Sequence, residues 1–139
     1  MTVITKQIEV ESGGENDVID LTPEVQRCVS ETKIANGIVT VFVTGSTGAV
    51  TTIEYEPGLV KDFPGMLERV APRGSLYEHQ RAWNDGNGHS HVKASLVGPS
   101  LVVPFVDRKL TLGTWQQIVF VELDIRPRSR KIVLQIVGE

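Results

Sequence analysis

All three histidines of the chain fall within thirteen residues, His79 to His91, inside Tyr77-Glu-His-Gln-Arg-Ala-Trp-Asn-Asp-Gly-Asn-Gly-His-Ser-His91. The stretch also holds Glu78, Asn84, Asp85 and Asn87, and has no Val, Ile, Leu or Phe before Val92. A segment this polar is not a core element. Imidazoles, carboxylates and amides grouped in this way can ligate a divalent cation or move protons. His89 and His91 form His-x-His. On a strand both would point to one face; on a helix they diverge by roughly 200°. A helix starting at Asn87 therefore leaves only one of them in a site, where His91 would pair with His79 and Asp85 or Glu122 would complete the shell. The metal-ligand candidates are His79, His91, Asp85 and His89, and the cofactor they would hold is a divalent metal, zinc or magnesium. The spacing matches no established zinc signature, so the same residues also fit a set of solvated loop histidines.

Three other groupings carry chemically useful side chains. Thr44-Gly-Ser-Thr-Gly-Ala49 follows a strand and offers two glycines and three hydroxyls, which can turn N–H groups and hydroxyls toward a phosphate. It is not a P-loop, because no Gly-Lys-Ser/Thr follows, and a plain turn between strands fits it too. Glu54 and Glu56 share one face of a predicted strand, as paired carboxylates for acid–base work or as a solvated face. Leu112-Gly-Thr-Trp-Gln-Gln-Ile118 places Trp115 where it could stack on a flat ring and Gln116 where it could read that ring's edge; a core or oligomer contact is the alternative for Trp115. Glu122 interrupts the apolar run Val119-Phe-Val-Glu-Leu123, so it either faces water or serves a site.

The elements that must position these residues read as follows. Residues 2–10 alternate as a half-buried strand, and 11–17 form a turn-rich connection. Thr22-Pro23-Glu24 opens a helix with Thr as its cap, Val25, Cys28, Val29 and Thr32 at helical spacing, and Asn36-Gly37 as its end. Strands follow at 38–43 and 51–56. A second helical stripe runs from Leu59 to Val70, with Pro64 either starting a new helix or kinking this one. After the polar histidine segment, a short helix begins near Asn87 and stops at Gly98-Pro99. Four β-prone stretches close the chain at 101–106, 109–112, 116–123 and 131–137, with Asp107-Arg108 as a tight hairpin turn. The order lacks regular βαβ alternation. It predicts an α+β fold in one domain over 1–139: a mostly antiparallel sheet, curled into a sandwich or barrel, with two to three helices.

Bulk properties narrow the partners. The chain has 139 residues, 40% hydrophobic and 22% charged, with a formal net charge of −3 and no basic stripe. Nucleic acid and anionic membrane are therefore not expected as partners. No apolar run approaches the ~20 residues needed to cross a bilayer, and no basic-then-apolar leader opens the chain, so the expected location is cytoplasmic. Cys28 is the single cysteine and sits on an apolar helix face, which suits a small buried hydrophobe.

Taken together, certain pieces resemble the YjbQ family of small proteins, a family associated with secondary thiamine-phosphate synthase activity. They are Gly45-Ser-Thr-Gly-Ala-Val-Thr-Thr-Ile-Glu54, Tyr77-Glu-His79, Asn87-x-x-x-His91-Val-Lys-Ala-Ser-Leu-Val-Gly-Pro99, Leu112-Gly-Thr-Trp-Gln116, Glu122-x-Asp124 and Pro127-Arg-x-Arg130. The resemblance implies an α+β fold with a barrel-like antiparallel sheet, a homotrimer, and a polar pocket near the subunit boundary. His79, Asn87 and His91 would line that pocket, with Trp115, Gln116 and Glu122 nearby. Many relatives carry His-Thr-Ser/Thr-Ala where this chain has Gly45-Ser46-Thr47-Gly48, so one imidazole is missing, and His89 is the candidate to replace it.

The candidate catalytic residues are then His79, His91, Asn87 and Glu122, and the candidate substrate-binding residues are Ser46, Thr47, Trp115, Gln116 and Glu54. Three functions compete. One is thiamine-phosphate synthesis, joining a pyrimidine pyrophosphate to a thiazole phosphate. Another is metal-dependent hydrolysis or elimination on a different small substrate. The last is a non-catalytic trimer that binds a metabolite.

Overall fold

The computed structural model describes all 139 residues, Met1–Glu139. Eight strands and four helices follow in chain order: β1 (Thr2–Glu11), β2 (Val18–Asp20), α1 (Thr22–Ser30), β3 (Gly37–Val43), β4 (Gly48–Ile53), α2 (Pro57–Val70), α3 (Glu78–Trp83), α4 (Gly88–Val97), β5 (Ser100–Val106), β6 (Lys109–Leu110), β7 (Gln117–Glu122) and β8 (Ser129–Gly138). All strand pairs are antiparallel. One sheet runs β1-β8-β3-β5-β6 and a second runs β2-β7-β4. The expected α+β class with a curled antiparallel sheet is what forms, although there are four helices rather than two or three. No helix is long and apolar enough to cross a membrane.

Two chain segments organise the interior. β8 lies between β1 and β3, and its alternate residues Ile132, Leu134 and Ile136 are fully buried. This is the period-2 pattern of a strand with one face in the core. β7 differs: Ile118, Val119, Phe120, Val121 and Glu122 are all at 0% exposure, because the three-stranded sheet is covered on both faces. On one face Ile118 and Phe120 join the larger core with Val39, Val41, Phe105, Leu134 and the α1 residues Val25, Cys28 and Val29. On the other, Val119, Val121 and Ala49 pack with Leu67 of α2 and Ala94 of α4. The molecule is thus a five-stranded layer, a three-stranded layer and a helical layer.

Local details depart from the sequence reading in instructive ways. Thr22 does not cap α1; Leu21 occupies that position, and the Thr22 hydroxyl accepts a hydrogen bond from Ile118 N at 2.8 Å instead. The helix ends at Ser30, earlier than Asn36-Gly37. Helix α2 runs through Pro64 without a break, and Glu56, placed above on a strand, is its N-cap and accepts from Gly58 N and Leu59 N. Strand β4 covers 48–53, so Glu54 falls just beyond its end. The 107–108 hairpin forms as expected, with φ of 49° at Asp107 and 62° at Arg108. The short strand β2 falls between the 11–17 connection and the helix opening at Thr22, where the sequence placed no element, and the short helix α3 lies inside the polar histidine segment.

Candidate active site

The polar segment folds back on itself. Helix α3 carries His79 and ends at Asn84, whose left-handed φ of 52° reverses the chain. Asp85 and Asn87 sit in the turn, and α4 starts at Gly88, as the sequence predicts. That start sends the two histidines of His-x-His to opposite sides. His91 faces back toward α3, and its ring centroid lies 4.5 Å from that of His79. His89 is fully buried on the far side, bonded through Nε2 to Glu15. His89 therefore does not replace the missing imidazole.

Around the histidine pair, His79 Nε2 lies 3.1 Å from Asp85 Oδ1. With its amide nitrogen facing this carboxylate, Asn87 donates to Asp85 Oδ1 at 2.7 Å and sits 3.0 Å from His79 Nε2. The other end of the amide is 3.4 Å from Asp124 Oδ1, too long to outweigh that contact. His91, half-buried, makes no hydrogen bond to any other side chain or backbone group through its ring. Burial lowers its pKa below the usual value of about 6.5, and the neighbouring His79 lowers it further, against weaker opposing pulls from Asp124 and Asp85. It is a neutral imidazole near pH 7 with a free lone pair.

His91, Asp85 and Asn87 form one wall of a cavity of about 560 Å³. The other walls are the loop Thr44–Thr47 and the segment from Asp124 to Arg130, and Ile125 is the only apolar side chain lining it. Behind the cavity lies a buried ion pair. Glu122, at 0% exposure, accepts from Arg130 Nε at 2.9 Å, from Arg130 Nη2, and from Ser12 Oγ at 2.7 Å. Arg130 Nη2 also donates to Thr47 Oγ1 at 2.8 Å, and Thr47 Oγ1 in turn donates to Asp124 Oδ2 at 3.1 Å. Burial alone would raise the Asp124 pKa, but the Ile125 N–H, Thr47 and Arg128 more than offset it, and the carboxyl is held below its usual range. Arg128 donates to Asp124 at 2.6 Å. Arg126 forms no ion pair.

The sequence candidates divide accordingly. His91, Asn87, Asp85, Ser46 and Thr47 come together at this cavity, and His79 stands one layer back, packed on the His91 ring. Glu122 stands behind it and is linked to it through Arg130 and the Asp124 N–H. Glu54 is exposed past the end of β4. Gln116 is bonded to Thr52, and Trp115 is 71% exposed. Gln116 lies six residues before Glu122 along β7, about 20 Å away at strand rise. For a metal, the cluster offers His79, His91 and Asp85, but no three His, Cys, Asp or Glu side chains converge on one point. A closed three-ligand zinc site does not fit this arrangement. The sequence reading missed Arg126, Arg128 and Arg130 as a set. Their i, i+2, i+4 spacing at the head of a strand was the available signal.

A family model described as "UPF0047 protein YjbQ-like" matches residues 6–139. The chain belongs to this family. Within UPF0047, a protein of Archaeoglobus fulgidus is 40% identical over 119 residues, spanning 86% of this chain and 90% of the relative. Another, from Methanothermobacter thermautotrophicus, is 37% identical over 139 residues, 100% of this chain and 95% of the relative. Among solved structures, a YbjQ-like protein of unknown function from Sulfolobus solfataricus superposes with a TM-score of 0.92 at 33% identity, covering 99% of each chain. A hypothetical protein from Aeropyrum pernix gives 0.90 at 34%, covering 98% of this chain and 99% of that one. These UPF0047 names fix family and fold and specify no reaction.

Proposed function

We propose that the cavity is the active site of a cytosolic small-molecule enzyme and that His91 is its proton acceptor. The observation that carries this reading is one imidazole, unbonded and held neutral, opening onto a cavity with three arginines on its opposite wall. A general base works best with its pKa near the working pH and its lone pair unengaged. His79, Asn87 and Asp85 hold the geometry from behind.

Thiamine-phosphate synthesis is the reaction that best uses these parts. The thiazole nitrogen bonds to the methylene carbon of the pyrimidine diphosphate as the carbon–oxygen bond breaks, and pyrophosphate leaves with the electron pair. Positive charge grows on the pyrimidine as this happens. Neutral His91 accepts a hydrogen bond or proton from the ring's amino group and lowers that cost. Arg126 and Arg130 receive the departing pyrophosphate. Magnesium would arrive with the pyrophosphate as part of the substrate, meeting the exposed Asp85 carboxylate. Ser46 and Thr47 contact the phosphate. Trp115, Gln116 and Glu54 have no part in this reading within one subunit.

A homotrimer belongs to the same proposal. The outer face of the five-stranded sheet exposes Val3, Ile38, Phe42, Val102 and Val106, an apolar surface suited to burial against a second copy. The direct test is turnover: the purified protein incubated with the pyrimidine diphosphate and the thiazole phosphate forms thiamine phosphate, and His91→Ala does not. Equal yields from both proteins would remove the reading.

A further inference from the structure

We infer that the wall opposite His91 is a phosphate subsite, built from Arg130 Nη1, Arg126 and the backbone of Gly45–Thr47. This deepens the proposed function by naming where the anionic part of the substrate is held, and it rests on the same cavity.

The Arg130 side chain is 3% exposed, so it is buried as deeply as the core. Nε and Nη2 are committed to Glu122 and Thr47, but Nη1 has no hydrogen-bond partner in the chain. Nη1 points toward Gly45, where an added Cβ would lie only 2.8 Å away. Gly45 lines the cavity with φ of 150°, so the missing side chain is what leaves Nη1 open to it. A guanidinium fixed at two of its three nitrogens, with the third turned into a polar cavity, is a preorganised donor that loses little freedom on binding.

Around that donor, the N–H groups of Gly45, Ser46 and Thr47 also have no partner within the chain. Consecutive free backbone N–H groups beside a cation form an anion-binding concavity. Arg126 lines the same wall, exposed and free of any carboxylate, whereas Arg128 is spent on Asp124. The donors comprise two guanidinium groups and three N–H groups. A carboxylate presents two oxygens and would leave several donors unused; a terminal phosphate presents three and matches them better. The ligand class is therefore a phosphate monoester or diphosphate.

The test measures binding without turnover. Inorganic pyrophosphate is titrated calorimetrically into wild type, Arg126→Ala, Arg130→Lys and His91→Ala. Arg126 is exposed, so its removal leaves the fold intact. Arg130→Lys keeps a charge for Glu122 but removes Nη1, and circular dichroism checks that it folds. The expected result is that wild type and His91→Ala bind alike, while each arginine variant weakens binding about tenfold or more, the loss of a charge-assisted hydrogen bond. If Arg130→Lys does not fold, Arg126→Ala decides alone. No binding by wild type, or arginine variants that bind like wild type, overturns the subsite whatever the activity. The expected binding pattern without turnover keeps the subsite and removes the catalytic reading.

Discussion

Removing the carboxylate of Glu122 should cost as much as the heaviest hydrophobic truncations in the core, and the loss should be recoverable. Glu122 and Arg130 are at 0% and 3% exposure, so solvent screens neither charge. Glu122→Ala leaves the guanidinium buried without its counter-ion, and breaking such a pair costs about 3–5 kcal/mol. At ~2.1 cal/mol/K per residue, 139 residues have an unfolding entropy of ~0.29 kcal/mol/K, so the melting temperature should fall by about 10–17 °C. Replacing both partners, as Glu122→Leu with Arg130→Met, removes the stranded charge and should bring stability back to within ~2 kcal/mol of wild type. Phosphate binding should not return with it, because Nη1 is gone. Differential scanning calorimetry at one fixed protein concentration measures the first effect, and pyrophosphate titration the second. A double variant as unstable as the sum of its singles would refute the claim that the pair acts as a unit. A double variant that binds pyrophosphate like wild type would refute the role given to Arg130.

Other consequences follow from the same geometry. His91 has a lowered pKa, so its neutral form persists at and somewhat below pH 6.5, and the acid limb of kcat/KM should have its midpoint below about 6.5. His79→Ala removes the nearby charge and opens the site to water, so that midpoint should move up. By linkage, His91's contribution to stability is complete above about pH 6.5 and is lost as pH falls through its lower folded value; an acid titration followed by fluorescence reads this. Leu134→Ala empties a fully buried position in the main core and should cost about 2–5 kcal/mol in chemical denaturation. Phe42→Glu puts a charge on the exposed apolar sheet face and should shift the proposed trimer to monomers in light-scattering chromatography.

The strands that carry the core were legible because their patterns follow geometry directly. The buried alternation of Ile132, Leu134 and Ile136 and the unbroken apolar run from Ile118 to Val121 each mark one kind of sheet environment. The site was legible only in part. His79, Asn87 and His91 stood out by residue type, and the start of α4 at Gly88 decided which member of His-x-His would face the cavity. Local sequence contains nothing that brings Arg130 to Gly45, since that contact depends on how β8 and the loop after β3 sit in the sheet. Glu122 was correctly noticed as out of place in an apolar strand, but its partner lies eight residues away across a turn. Trp115 and Glu54 drew attention by type alone, and the sheet carries both away from the cavity.

In this proposal one cavity joins the His91 imidazole to an arginine wall that holds phosphate. A crystal structure of the wild-type protein soaked with pyrophosphate tests this most directly. Pyrophosphate density is expected between Arg126, Arg130 Nη1 and the Gly45–Thr47 backbone, with the His91 ring facing it across the cavity. Pyrophosphate ordered elsewhere on the molecule, with this cavity holding only water at saturating concentration, would contradict it.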